Sequence, residues 1–232
     1  MQETIKNNIL QIRERISAAA ERAGRSPEDI TLIAVSKTHP AEAVDEAAAC
    51  GIQDFGENKV QELLSKQLQV KNQVYWHLIG HLQTNKVRQI VGKTVLIHSV
   101  DSLHLAEEID KRSGAAGIVS DILIQVNAAS EESKFGLGLS EAEVLVHQVC
   151  ENFKNIRIRG LMEIAPYAED PEDIRIYLRQ VAQLYERLKR TGLTAFDTLS
   201  MGMSHDFETA IEEGATHIRV GTAIFGERDY NK

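Results

Sequence analysis

The sequence predicts a (β/α)8 TIM barrel, an α/β fold of eight parallel strands, with one additional helix in front. Eight short β-prone runs alternate with helical patterns from residue 31 onward. Strict alternation of that kind specifies a parallel sheet whose crossovers are helices. The eight units occupy about 200 residues, which suits a compact barrel of typically ~250 residues. A doubly wound open sheet is the competing arrangement, but six strands are more usual there. No linker or low-complexity segment interrupts the pattern, so residues 1–232 are expected to form a single domain.

The elements follow in order. Residues 3–23 place Ile5, Ile9, Ile12, Ile16 and Ala20 at spacings of three and four, a helical stripe, and Gly24 stops it. The first strand is TLIAVS, residues 31–36. PAEAVDEAAACG then opens on Pro40 and closes on Gly51, the usual asymmetry of a helix. The second strand, QDF at 53–55, leads into NKVQELLSKQ, and the third, VYWHLI at 74–79, into TNKVRQIVG. VLIHSV at 95–100 is followed by SLHLAEEIDKRSG. DILIQV at 121–126 precedes SEAEVLVHQVCENF, where Ser140 and Glu143 have the spacing of a capping box. IRIRGL at 156–161 leads to the longest helical pattern, DPEDIRIYLRQVAQLYERLKRTG. FDTL at 196–199, SHDFETAIEEG and HIRV at 217–220 complete the series.

Composition narrows the function. Hydrophobic residues make up 43% of the chain and charged residues 26%, an ordinary balance for a globular protein with a sizeable core. A net charge of −8 argues against a broad nucleic-acid surface, which needs clustered positive charge. Cys50 and Cys150 each end an amphipathic segment. Two such isolated residues form neither a disulfide framework nor a zinc spacing, which fits a reducing cytosol. The first residues mix both charges and lack the apolar stretch of a signal peptide. No apolar run approaches the ~18 residues of a membrane helix. A cytoplasmic protein with no membrane or nucleic-acid partner is the expectation.

In a parallel barrel the working face lies at the C-terminal strand ends. Lys37 stands there, closing an apolar strand, where desolvation lowers an amine's pKa and makes it nucleophilic. A surface lysine gripping a neighbouring carboxylate is the competing reading. LSMGMSHD and RVGTAIFG, after strands seven and eight, supply Ser200, Gly202, Ser204, Gly221 and Thr222. Backbone N–H groups of such loops bind phosphate in many barrels, although the same glycines also serve tight turns. Arg219 lies two residues before Gly221, so alternation points both the same way. A buried arginine needs a partner, and Glu163 is one candidate. His77 and His81 are four apart, but on a strand and its loop with no third ligand in view, so no metal site is expected. Trp76 is read as core, and KTHP lacks the glycines of a P-loop. A strand-end lysine, a phosphate cup and a buried arginine together suit a phosphorylated aldehyde held as a Schiff base, and pyridoxal 5′-phosphate is such a ligand.

Seven segments, AVSKT, FGEN, WHLIGHLQTNK, KFGL, GLM, LSMGMSHDFETAI and RVGTAIFGERDY, resemble the pyridoxal-phosphate homeostasis family of alanine-racemase N-terminal-like barrels, from about residue 5 to 230. The resemblance implies a fold-type III barrel with Lys37 as the imine-forming residue. It places Ser200, Ser204, Gly221 and Thr222 on the phosphate, Arg219 at the pyridine nitrogen, and Asn58, Ile79 and Met162 near the ring. His81 and Glu163 depart from the family pattern. An arginine at the pyridine nitrogen keeps that nitrogen unprotonated, which makes the ring a poorer electron sink. Racemases resembling this barrel add a β-rich second domain and dimerise, whereas only about a dozen residues follow the eighth strand here. The resemblance therefore implies a monomeric carrier that buffers or delivers the cofactor, with apo-enzymes as transient partners, and no catalytic residue. The alternative is a monomeric racemase using His81, His205 or Tyr167 as its second acid/base.

Overall fold

The computed structural model describes residues 2–131, 133–193 and 195–227. Its strands are β1 (Thr31–Val35), β2 (Asp54–Glu57), β3 (Tyr75–Leu78), β4 (Leu96–Val100), β5 (Ser120–Val126), β6 (Ile156–Glu163), β7 (Thr198–Ser200) and β8 (His217–Val220). They pair in parallel in chain order, and β8 closes on β1 with Ile33 opposite Arg219. The helices are α1 (Gln2–Arg22), α2 (Ala41–Ala49), α3 (Val60–Gln67), α4 (Val87–Ile90), α5 (Leu103–Ala116), α6 (Leu139–Asn152), α7 (Arg175–Lys189), α8 (Phe207–Glu212) and α9 (Thr222–Phe225). The fold is thus the closed eight-stranded α/β barrel that the alternation specifies. The Arg228-Asp229-Tyr230 end of the last motif lies outside the described residues. No described helix is long and apolar enough to cross a membrane.

Three local details differ from the sequence reading. The capping box of α6 sits two residues earlier than Ser140 and Glu143. The Gly138 N–H donates to the Glu141 carboxylate at 2.9 Å, while Glu143 pairs with Arg187 at 2.7 Å. The long seventh helical pattern is broken at its start. Pro171–Ile174 forms a tighter 3-10 turn, with the Asp170 side chain accepting from the Glu172 N–H. The helix after β3 is cut to one turn of 3-10 (Thr84–Lys86) followed by the four-residue α4.

Helices bury their apolar stripes against the outside of the barrel. In α1, Ile5, Ile9, Ile12 and Ile16 are all buried, each contributing about 1.5–3 kcal/mol relative to exposure. This helix packs on α2, α8 and α9. Polar bonds fix its register: Asn8 Nδ2 donates to the Ile224 carbonyl at 2.9 Å, Arg15 pairs with Glu208 at 2.7 Å and Arg22 with Glu212 at 2.6 Å. Trp76 packs in this outer core against Phe55, as core residues do. Gly160, with φ +152°, allows β6 to approach β7. A Cβ there would stand 1.7 Å from the Thr198 carbonyl oxygen.

The barrel interior is unusual. Such interiors are filled mainly by branched apolar side chains. Here Leu96, Leu123 and Met162 form one small apolar cluster. The inward-facing His77, His98, Ser200 and Arg219 are bonded side chain to side chain across the interior and buried.

Candidate functional site

A cavity of ≈ 400 Å³ opens at the C-terminal ends of the strands. Lys37, Asn58, Ile79, Ser204, Arg219, Gly221 and Thr222 all line it. Ser200 and Met162, expected at the same site, do not. Met162 sits in the small apolar cluster with Leu96 and Leu123. The Ser200 hydroxyl is fully buried, accepts from Arg219 Nη1 at 2.7 Å and lies 3.0 Å from His98 Nδ1. Strand alternation could not show this, because β7 is three residues long and its neighbour's arginine claims the oxygen.

Lys37 follows the buried residues Val35 and Ser36 in a turn whose next residue, Thr38, has φ +69°. That left-handed conformation costs a β-branched residue roughly 1–2 kcal/mol. A buried ion cluster holds it. The Thr38 N–H donates to Glu62 Oε1 at 2.6 Å. Lys66 Nζ donates to the same oxygen at 2.8 Å, to the Ser36 carbonyl at 2.7 Å and to Glu57 Oε1 at 2.6 Å. The Ser36 hydroxyl also donates to Glu57 Oε1, at 2.6 Å. Burial raises the pKa of Glu57, and Lys66 opposes that rise. None of Glu57, Glu62 or Lys66 is visible as a site residue in the sequence. Glu62 and Lys66 sit one helical turn apart on α3, which reads as an ordinary surface pair.

One side of the cavity is built by the loops after β7 and β8, which supply Ser204, Gly221 and Thr222. The Gly221 and Ala223 N–H groups both donate to Ser204 Oγ, at 3.2 and 3.4 Å. Two backbone donors therefore converge on one oxygen atom at the cavity wall, the arrangement that oxygen-rich anions use. Gly202, φ +92°, lets the loop fold under α8, where a Cβ would fall 2.6 Å from that of Ala210.

Arg219 is 4% exposed. Its Nη1 donates to Ser200 and its Nη2 to the Glu163 carbonyl at 2.7 Å. Glu163, one candidate partner, meets the guanidinium through its backbone oxygen and not through its carboxylate. Burial pulls the arginine down to about 10, opposed by Asp206 and Glu163, so it stays protonated at neutral pH. The Glu163 carboxylate is fully buried with Oε1 unpartnered, and Oε2 accepts only a long 3.4 Å bond from the Ala128 N–H. Burial raises its pKa to about 7.

The mouth carries two aromatic pairs. His81 stacks on Phe135 with centroids 3.9 Å apart, and Tyr167 on His205 at 5.5 Å. His81 and His205 line the cavity, whereas Tyr167 borders a smaller neighbouring one.

The chain matches the model of the alanine racemase N-terminal domain over residues 5–229. A pyridoxal phosphate homeostasis protein from Aquifex aeolicus is 48% identical, over 96% of this chain and 97% of its own length. The structure of PipY from Synechococcus elongatus with PLP bound is 38% identical with a TM-score of 0.81, covering 93% of this chain and 100% of that one. An alanine racemase from Clostridium difficile shares the fold, with a TM-score of 0.76 at 14% identity, and this chain covers 58% of it. By identity and coverage, the chain belongs to the pyridoxal phosphate homeostasis protein family.

Proposed function

We propose that the protein binds pyridoxal 5′-phosphate in this cavity and acts in intracellular cofactor balance, holding and handing over the cofactor without turning over amino acids. One observation carries the reading. A strand-end lysine, the Ser204 hydroxyl on which two backbone N–H groups converge, and a buried arginine border a single cavity of ≈ 400 Å³. The PLP-bound PipY relative supports it. When bound, the cofactor supplies an aldehyde carbon that condenses with a primary amine.

The chain's own residues divide the work. Lys37 is the amine, held at the cavity wall by the Thr38 turn and the Lys66 cluster beneath it. Gly221, Thr222, Ala223 and Ser204 would hold the phosphate. Arg219 would face the pyridine nitrogen with an N–H and oppose a proton there. Asn58 and Ile79 would border the ring. Ser200, bonded to Arg219, and Met162, in the apolar cluster with Leu96 and Leu123, would act on the ligand from behind the cavity wall.

The chain over 1–232 is read as one cofactor-binding domain, monomeric and cytoplasmic, with apo-enzymes as transient recipients. Racemisation would need a second acid/base opposite Lys37, for which His81 and His205 are the cavity-lining candidates, and this reading assigns neither that role.

The test is borohydride treatment of loaded protein, followed by peptide mapping and by transfer to an apo-enzyme. Label on Lys37 and cofactor appearing in the recipient are expected. Label on Lys59, Lys86 or Lys134 would sink the site. Racemisation of alanine at about 1 s⁻¹ or faster would replace the carrier reading with an enzyme.

A further inference from the structure

We propose that a one-way chain of hydrogen bonds through the barrel, from Arg219 through Ser200, His98 and His77 to Asp54, makes those four residues positioning residues that set the guanidinium of Arg219 from the opposite end of the molecule. Its bearing on the ligand rests on the function proposed above; the chain itself does not.

The links are Arg219 Nη1 to Ser200 Oγ at 2.7 Å, Ser200 Oγ to His98 Nδ1 at 3.0 Å, His98 Nε2 to His77 Nδ1 at 3.0 Å, and His77 Nε2 to Asp54 Oδ1 at 2.9 Å. The residues come from β8, β7, β4, β3 and β2, so the chain crosses the interior rather than following one strand pair.

Its ends fix its direction. A guanidinium only donates and a carboxylate only accepts. Ser200 Oγ takes the arginine proton and passes its own O–H to His98 Nδ1. His98 then carries its proton on Nε2 and gives it to His77 Nδ1. His77 carries its proton on Nε2 and gives it to Asp54. Every donor meets an acceptor, and each ring nitrogen is used once. A chain of this kind polarises along its length.

The surroundings agree. His98 is fully buried, and burial, with His77, Arg219 and His217 around it, holds its pKa well below that of an ordinary histidine. His217 faces the same interior from β8, its ring 6.5 Å from that of His77 and its Nδ1 3.0 Å from Thr216 Oγ1. Asp54 is half-buried at the start of β2 and borders a cleft shared with Arg13, Glu28 and Gln53. A barrel needing only to be filled would use branched apolar side chains. Five polar residues linked end to end instead carry a defined orientation from that cleft to the cavity floor.

Nitrogen NMR of the histidine side chains in ligand-free protein tests the direction. Wild type should show the His98 proton on Nε2 and the His77 Nδ1 as its acceptor. Asp54→Asn keeps an acceptor oxygen for His77 Nε2–H but removes the charge, so both tautomers should hold while polarisation along the chain weakens. Ser200→Ala and Asp54→Asn should each weaken binding of pyridoxal 5′-phosphate by about three- to tenfold and shift the absorption band of the bound cofactor. His98 appearing as an imidazolium or as Nδ1–H in wild type would overturn the proposal. So would Ser200→Ala with wild-type affinity and spectrum. If Asp54→Asn does not fold, the wild-type tautomers and the Ser200→Ala spectrum decide it. Wild type that fails to bind the cofactor would sink the functional reading alone, since the tautomers are read without ligand.

Discussion

Glu163 shows what a single buried carboxyl does to this molecule. Its folded pKa of about 7 stands above the ordinary 4.5 because burial disfavours the charge. Between those values the native state keeps a proton that the unfolded chain has released. Stability from this residue therefore falls as pH rises through the window, by up to roughly 3 kcal/mol. Glu163→Gln should be more stable than wild type at pH 8 and no more stable at pH 4, measured by denaturant unfolding at both. At the anion cup, Ser204→Ala or Thr222→Ala should weaken cofactor affinity about tenfold, since each charge-assisted bond contributes roughly 1.5–3 kcal/mol. Titration of apo-protein checks this, and pyridoxal lacking its phosphate should bind poorly. The cavity-lining residues named from the sequence were legible because loops after consecutive strands must meet at one end of a barrel. Alternation does not report the partner of Ser200, whose hydroxyl accepts from the buried Arg219.

Among the elements, the β1–α2 turn depends on α3. Lys66 pairs with both Glu57 and Glu62 and donates to the Ser36 carbonyl, so the lysine-bearing turn is held from a different helix. Lys66→Met would leave a buried carboxylate unpaired and should cost about 3 kcal/mol or more, seen as a lower denaturant midpoint. Adding Glu57→Gln should recover part of that loss, whereas a purely steric role for Lys66 would show no recovery. The helices were readable from periodicity, and their starts less so. Glu141 and Glu143 both lie near the start of α6, and the choice between them as the capping acid is made by Arg187 on α7, which is 44 residues away.

For the molecule as a whole, the buried histidines set the acid limit. Burial depresses His217 to about 4 and holds His98 well below its ordinary value. The unfolded chain takes up these protons near pH 6.5 and the native state does not, so stability is lost as pH falls from about 6.5 toward 4. His217 alone should account for about 2 kcal/mol at pH 5, partly offset by Glu163, whose contribution has the opposite sign. Thermal melts at pH 7 and 5 check this, and His217→Gln should narrow the difference. The barrel itself was plain in the alternation of eight strands and their helices, a signal repeated along the whole chain. Its polar interior was not, because a histidine in a β-prone run looks the same whether it faces the barrel axis or its outer helices.

The packing of α1 has a consequence for how the protein is made. Its isoleucine stripe is covered by α8 and α9 as well as α2, and Asn8 bonds to Ile224, 216 residues later. A ribosome releases the first helix long before the segments that bury it, at roughly 5–20 residues per second. For that interval the helix emerges with its apolar face uncovered, and the barrel cannot close until the eighth strand is out. The early helix is thus the part most in need of a chaperone's shelter, and the β8–α9 segment completes that shelter and the Gly221–Thr222 wall of the cavity together.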